Sequence, residues 1–274
     1  MTELTFQELG AGNKSTIVLL HGGGVAGWMW RPVAAVLMSD FHLLIPDLPE
    51  QGRSLGTAPF THALAADLVS DLIHAHAPGG KASVVGLSEG AQVTVELLAR
   101  HPDVLDHAVV SSAILRPLPG CWMYTRGMFR WAYRWFMVPL KNNDGWIRLN
   151  MKYSAGIGEK YFADFKRSFQ EITESGFVNL MVEAMHYRMP SGLEKADLPV
   201  LVATGALEYR QMHESARDLL AVLPRARGVT VSFGNGSTLA KEHNWALTDP
   251  KLFAATVKAW VRDEALPSEL SLFK

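Results

Sequence analysis

A serine between two glycines is the first feature of this sequence that could do chemistry. The stretch VVGLSEGAQ (84–92) is an apolar run that reaches Ser88 between Gly86 and Gly90. Flanking glycines let the backbone turn tightly enough to lift a serine hydroxyl above the edge of a sheet. Because a serine hydroxyl is a weak nucleophile, it needs a base within hydrogen-bond reach and donors for the developing oxyanion. The rest of the chain must supply both if Ser88 reacts.

The glycine-rich stretch HGGGVAG (21–27) allows three interpretations. Gly22, Gly24 and Gly27 fit G-x-G-x-x-G, and Asp47 ends the next apolar run, which together indicate a dinucleotide-binding oxidoreductase of the Rossmann type. The glycines could instead only permit a tight turn. They could also open a loop whose N–H groups face an acyl oxygen at Ser88.

Apolar, β-branched runs alternate with helical periodicities over the first part of the chain. We predict strands at 15–20, 41–47, 81–86 and 106–113, and helices at 28–38, 61–77 and 91–102. This order predicts a mainly parallel sheet with helices on both faces. Ser88 then lies at a strand-to-helix turn, which is the context that a G-x-S-x-G nucleophile requires.

The alternation stops between about residues 115 and 196, where the patterns are helical, aromatic and rich in methionine. It resumes with strands at 198–205 and 228–233 and a last helix from Pro250. We therefore predict an α/β core formed by residues 1–114 and 197–274, with a helical cap inserted at 115–196.

Four motifs, spread over nearly the whole chain, carry a resemblance to a known family. They are HGGG after the first buried strand, DLPEQGRS after the second, GLSEGA at the serine turn and HNWALTDPKLF near the end. In these motifs the chain resembles the α/β-hydrolase fold family, in its serine esterase and carbon–carbon bond hydrolase branch.

The resemblance implies roles for the residues around the serine. Ser88 would be the nucleophile, and the backbone N–H of Glu89 one oxyanion donor. The second donor would be Gly23, with Gly24 as an alternative. His21 would be the structural histidine of the glycine loop rather than the base.

The resemblance also implies a base and an acid. His243 lies in the loop after the last core strand, where the family carries its base, and is expected to orient toward an acid. Glu208 follows the strand 198–205 at the position where the family usually has aspartate. Glu214, one helical turn later, and Glu242, beside the histidine, are its rivals.

The turn DLPEQGRS departs from the family's usual pattern. Glu50 and Gln51 stand where a glycine normally follows the proline, so the shape of the turn and the direction of Glu50 are open. Asp47 is interpreted as a turn-forming or capping residue rather than a catalytic acid.

The stretch CWMYTRGMFRWAYRWFMVPL (121–140) is the most unusual part of the cap. Three arginines recur every fourth residue and should share one helix face, with their charges solvated or paired with acids. The aromatic residues beside them would roof the site. We expect four tryptophans to bind substrate: Trp28, Trp131, Trp135 and Trp245.

Composition sets the remaining expectations. The net charge of −1 gives no reason to expect a nucleic acid, and the single cysteine excludes an internal disulfide and a cysteine-based zinc site. No run reaches the roughly 20 apolar residues of a membrane span, and the first residues lack a signal pattern. We expect a cytoplasmic protein whose partner is a small-molecule ester, with no cofactor and no metal; the oligomeric state is open.

The function that these residues favour is a serine hydrolase (carboxylesterase-like) acting on small to medium hydrophobic esters through an acyl-serine. A carbon–carbon bond hydrolase of the same fold is the first alternative, because HGGG and Trp245 also occur in that subgroup. A non-catalytic small-ligand receptor and, more remotely, a Rossmann-type NAD(P)-dependent oxidoreductase complete the alternatives.

Overall fold

A computed structural model describes residues 3–57, 59–117 and 119–273. Its centre is a sheet of eight strands in the order β1-β3-β2-β4-β5-β6-β7-β8. The six inner strands run parallel, and β1 and β8 pair antiparallel at the two edges. The strands are β1 (Phe6–Leu9), β2 (Thr16–Leu20), β3 (His42–Pro46), β4 (Ala82–Leu87), β5 (Leu105–Ser111), β6 (Val200–Gly205), β7 (Ala226–Val231) and β8 (Ser271–Leu272).

The inner strands are apolar throughout because both faces of the sheet are covered. Every residue of β2 is buried, and its side chains alternate between two cores. Val18 and Leu20 point into one core, and Ile17 and Leu19 into the other. The two-residue period of a strand produces this division.

Helices cover each face. The helices are α1 (Arg31–Leu37), α2 (His62–His76), α3 (Glu89–Arg100), α4 (Arg126–Ala132), α5 (Val138–Leu140), α6 (Asp144–Asn150), α7 (Phe162–Glu171), α8 (Glu174–His186), α9 (Arg210–Val222), α10 (Leu239–His243), α11 (Trp245–Thr248) and α12 (Pro250–Val261). Apolar residues of α1 and α12 fill one core, and those of α2, α3 and α9 fill the other. The predicted fold class, an α/β-hydrolase fold, is confirmed.

Helices α4 to α8 lie between β5 and β6, and we call residues 112–199 the insertion. Its described residues contain no strand. Two segments, Tyr133–Met137 and Met151–Ala155, are π-helical. The helical character agrees with the sequence expectation, and the cap boundaries at 115 and 196 stay a prediction.

Two edge strands were not predicted. β1 reads FQEL and β8 has only two residues, so neither carries the apolar run that marks a buried strand. The predicted helix 28–38 is a 3-10 turn, Gly27–Trp30, followed by α1. In the described part of the chain, no helix combines the length and the apolar character needed to cross a membrane.

Candidate active site

Ser88 connects β4 to α3 with a backbone conformation that few non-glycine residues adopt. Its φ is 56° and its ψ −114°. A Cβ on Gly86 would lie 2.2 Å from the carbonyl oxygen of Gly90, and a Cβ on Gly90 would lie 2.2 Å from that of Leu20. Only glycine fits at both positions, and the strand and helix can then meet at the sharp turn that exposes the serine.

Two backbone N–H groups are available beside Ser88. The N–H groups of Gly23 and Glu89 have no acceptor among the residues that the structure describes. The N–H of Gly24 instead donates to Oε1 of Gln51 at 2.8 Å. Gly24 is therefore not a free oxyanion donor, which corrects the alternative that the sequence left open, and Gln51 braces the glycine loop.

His21 has both ring nitrogens occupied. Nδ1 lies 2.8 Å from the carbonyl oxygen of Gly22, and the N–H of Leu48 donates to Nε2 at 2.9 Å. Complete burial lowers the pKa of His21, against the opposing charge of Asp47. A neutral ring with these two bonds has a structural role, as the resemblance implied.

His243, at the end of α10, contacts Glu208, which follows β6. Its Nδ1 lies 2.7 Å from Oε1 of Glu208, and the other carboxylate oxygen accepts the N–H of Gly205 at 3.0 Å. Because an ionised carboxylate only accepts hydrogen bonds, this contact places the ring proton on Nδ1 and leaves Nε2 to act as an acceptor.

The two rival glutamates are engaged elsewhere. Glu242 is fully buried; its carboxylate accepts the N–H of Leu207 at 2.6 Å and the hydroxyl of Ser237. It supports the loop that carries Glu208. Glu214 pairs with Arg116 and Arg210 on the surface.

Ser111 links the serine turn to the histidine segment. Its carbonyl oxygen accepts the N–H of Ser88 at 2.9 Å, and its hydroxyl accepts Nε1 of Trp245, two residues after His243, at 2.9 Å. Among the described residues there is no hydrogen bond between the Ser88 hydroxyl and His243. Such bonds are often long before substrate binds and tighten in the complex.

Asp47 and Glu50 have structural partners. The carboxylate of Asp47 accepts the N–H of Gly27 at 2.8 Å and that of Arg53 at 2.9 Å, as expected of a turn residue. Asp47 is buried, at 3% exposure, and its carboxylate holds this turn. Glu50 accepts the N–H of Phe60 and the amide of Asn179, which lies on α8.

A cavity of about 450 Å³ lies over Ser88. Gly23, Gly24, Ser88 and Glu89 form its floor. The insertion supplies most of the remaining surface, which is chiefly apolar. The larger apolar side chains from the insertion are Met137, Phe165, Phe169, Ile172, Phe177, Leu180, Met181 and Met185.

None of the four predicted tryptophans lines this cavity. Trp131 and Trp135 are 55% and 67% exposed, and Trp245 is buried at 1% and packs on Phe253. Trp28 lines a separate pocket and donates its Nε1 to Ser168.

Helix α8 contacts the inner face of the 121–140 segment. Arg130 and Arg134 both pair with Glu174, and Arg126 donates to Asn179 at 2.6 Å. Phe129 and Tyr133 of the same segment are buried and pack on Phe177 of α8, with the half-exposed arginines beside them. Trp131 and Trp135 are left toward solvent, which corrects the expectation that they cover the site.

The residues that do form the roof follow a helical period that sequence analysis missed. Phe177, Leu180, Met181, Ala184 and Met185 occupy one stripe of α8 at the spacing i, i+3, i+4, i+7, i+8. That pattern was visible, but periodicity alone does not reveal whether a stripe faces a core or a cavity.

Comparison with known proteins agrees with this architecture. Residues 17–256 match the family model described as "Alpha/beta hydrolase family". The chain belongs to the α/β hydrolase family.

An AB hydrolase superfamily protein of Gibberella zeae is 27% identical over 97% of this chain and 87% of its own length. A pimeloyl-[acyl-carrier protein] methyl ester esterase of Proteus mirabilis is 35% identical over 38% of each chain. Among solved structures, the malate-bound thermophilic esterase of Thermogutta terrifontis matches with a TM-score of 0.73 and 18% identity, over 95% of this chain and 93% of that one.

Proposed function

We propose that this protein is a serine hydrolase that cleaves carboxylic esters of small to medium hydrophobic substrates through an acyl-serine intermediate. One observation carries the proposal: the strained Ser88 lines a single cavity together with Gly23 and Glu89, whose N–H groups have no acceptor among the described residues. A nucleophile and oxyanion donors around one space are what acyl transfer requires.

The proposed reaction begins when Nε2 of His243 takes the proton of the Ser88 hydroxyl. The serine oxygen attacks the ester carbonyl carbon, and the N–H groups of Gly23 and Glu89 stabilise the oxyanion. Collapse of the intermediate expels the alcohol, which receives the proton from His243. Water then attacks the acyl-serine with the same histidine as base, and collapse of this second intermediate releases the carboxylic acid and returns the proton from His243 to Ser88. Glu208 orients the ring and stabilises its charged form.

The substrate class follows from the cavity. Its phenylalanine, leucine and methionine side chains offer an apolar surface to an acyl or alcohol group, and its volume suits a small to medium ligand. The pimeloyl-[acyl-carrier protein] methyl ester esterase among the relatives supports an ester as substrate. Trp245, which had also suggested carbon–carbon bond cleavage, is buried and bonded to Ser111, so it does not favour that reaction.

Covalent labelling tests the proposal directly. A fluorophosphonate probe should label the protein once, on Ser88, and Ser88→Ala should abolish the labelling and lower kcat by ~10⁴ to 10⁶. Ser112→Ala is the matched control. Like Ser88, Ser112 is buried, follows a strand and has a positive φ, of 61°, but it does not line the cavity. Labelling that persists in Ser88→Ala would refute the proposal.

A substrate panel separates the reaction classes. Steady release of p-nitrophenol from short acyl esters is expected, with slower or no turnover of a vinylogous diketone. Preference for the diketone would identify carbon–carbon bond cleavage instead. Binding without turnover of any ester or lactone would identify a receptor.

A further inference from the structure

The residue after the nucleophile places a carboxylate beside the oxyanion donors. The Glu89 side chain is only 6% exposed, and Glu89 lines the same cavity as Ser88. Its Oε2 lies 3.5 Å from the position that a Cβ on Gly23 would occupy. The negative charge of Glu89 is therefore close to both N–H groups that face the substrate oxygen.

An uncompensated carboxylate there would oppose the reaction. Negative charge develops on the carbonyl oxygen in the transition state, and charges repel strongly where water is excluded. A buried carboxylate also needs a partner to remain ionised. The charge of Glu89 must be neutralised if the proposed oxyanion hole is to work.

His62, the first residue of α2, is the partner. Its Nε2 lies 2.7 Å from Oε1 of Glu89, as an ion pair rather than an aligned hydrogen bond. Neither of these two atoms has a hydrogen-bond partner within the described residues. His62 is 1% exposed, so its ring is held in place.

The other side of the His62 ring contacts the insertion. Its Nδ1 lies 3.1 Å from Oε2 of Glu183 on α8, and its backbone N–H donates to the same oxygen at 3.2 Å. One buried ring thus touches the residue after the nucleophile and the helix that roofs the cavity.

We propose that His62 is a positioning residue whose positive charge neutralises the Glu89 carboxylate at the oxyanion hole, while the same ring holds α8 through Glu183. This inference rests on the proposed serine hydrolase function. It assigns His62 no contact with substrate.

The surroundings of the ring favour its charged form. Burial alone would lower the pKa of His62, but the charges of Glu89 and Glu183 and the hydrogen bond to Glu183 outweigh it and raise the pKa to about 9. The ring of Tyr187 lies beside that of His62 with centroids 4.3 Å apart and an angle of 48° between the planes. The adjoining pocket also contains Glu96, His186 and Arg188, so with Glu89 and Glu183 these are the titratable and charged groups around His62 in the described structure.

A double-variant experiment tests the charge argument. His62→Gln keeps hydrogen-bonding groups but removes the cation, so kcat for a p-nitrophenyl ester should fall by ~10- to 100-fold with KM changed less than about threefold. In His62→Gln/Glu89→Gln the uncompensated charge is gone, and kcat should recover by at least about tenfold relative to His62→Gln.

His42→Gln is the matched control. His42 is also a buried histidine paired with a glutamate, at 2.8 Å from Glu8, but it lies on β3 away from the cavity. Its kcat should stay at the wild-type value. A double variant as slow as His62→Gln would show that His62 only supports the fold, and a wild-type kcat in His62→Gln would equally overturn the inference.

A pH profile gives a second readout that does not require His62→Gln to fold. The wild-type kcat should fall as the pH rises through about 9, because loss of the His62 proton leaves Glu89 unneutralised. Glu89→Gln should lack this fall, and an unchanged alkaline fall in Glu89→Gln would overturn the inference. Failure of the proposed function is distinguishable, since the wild-type protein would then neither react with the fluorophosphonate probe nor turn over an ester.

Discussion

At the scale of single residues, the contact between Glu208 and His243 determines which ring nitrogen of the proposed base is free. Glu208→Gln keeps the size of the side chain but can donate from its amide, so it can stabilise the wrong tautomer of His243. We expect kcat to fall by up to ~10⁴ with little change in stability. Glu208→Asp should recover part of that loss. Steady-state kinetics and thermal unfolding of both variants measure these effects.

Glu214→Gln is the control for the acid. Glu214 forms surface ion pairs with Arg116 and Arg210 and has no contact with His243 in the described structure, so kcat should remain within about tenfold of wild type. If kcat fell strongly in Glu214→Gln but stayed near the wild-type value in Glu208→Gln, Glu208 would not be the acid. Glu242→Gln is unsuitable as a control, because Glu242 is buried and holds the Glu208 loop.

The tight packing of the serine turn predicts that the fold does not tolerate a side chain at Gly90. A methyl group added at Gly90 would lie 2.2 Å from the backbone carbonyl oxygen of Leu20, and both residues are buried. Gly90→Ala should therefore lower the free energy of unfolding by about 3 kcal/mol or more. Gly56→Ala, where nothing lies within 4 Å of the added Cβ, should change it by less than about 1 kcal/mol. Urea unfolding of the two variants makes the comparison.

At the scale of the elements, helix α8 is expected to set substrate size. Met181 points into the cavity, so Met181→Trp fills space that a long acyl chain would use. We expect KM for a long-chain ester to rise roughly tenfold, while the kinetics of an acetate ester change by less than about threefold. A series of p-nitrophenyl esters measures this difference.

Trp135→Ala is the control on the outer face of the insertion. Trp135 is 67% exposed and does not line the cavity, so its removal should leave KM unchanged along the ester series. A change in chain-length preference in Trp135→Ala, with none in Met181→Trp, would place the acyl group on the other face of the insertion.

At the scale of the whole molecule, His62 lies between the core and the insertion, and its charge makes the stability of the fold depend on pH. Its pKa in the folded protein is about 9, against 6.5 as the ordinary value, so the folded state holds the proton more tightly. The stabilisation is complete below about pH 6.5 and is lost as the pH rises through about 9. It should amount to about 3 kcal/mol, and His62→Gln should lack this part of the pH dependence. Urea unfolding between pH 6 and 10 measures both proteins; an equal alkaline loss in His62→Gln would assign it to other groups.

The sequence by itself determined the fold class and the position of Ser88. Buried parallel strands need continuous apolar runs, and these stand out in the chain because their neighbours are helical. The GLSEGA turn also depends on residues adjacent in sequence, so Gly86, Ser88 and Gly90 could be interpreted without distant contacts. Even the pairing of His243 with Glu208 was anticipated, although only through the resemblance to a family.

Only the tertiary structure decided which groups meet across the chain. Helical periodicity shows which residues of the 121–140 segment share a face, but not which of its aromatic residues pack inward. Phe129 and Tyr133 pack on Phe177, more than forty positions away, while Trp131 and Trp135 face solvent. The burial of His62 beside Glu89 has the same origin. Contacts between residues distant in sequence depend on how the elements pack, and no local pattern encodes them.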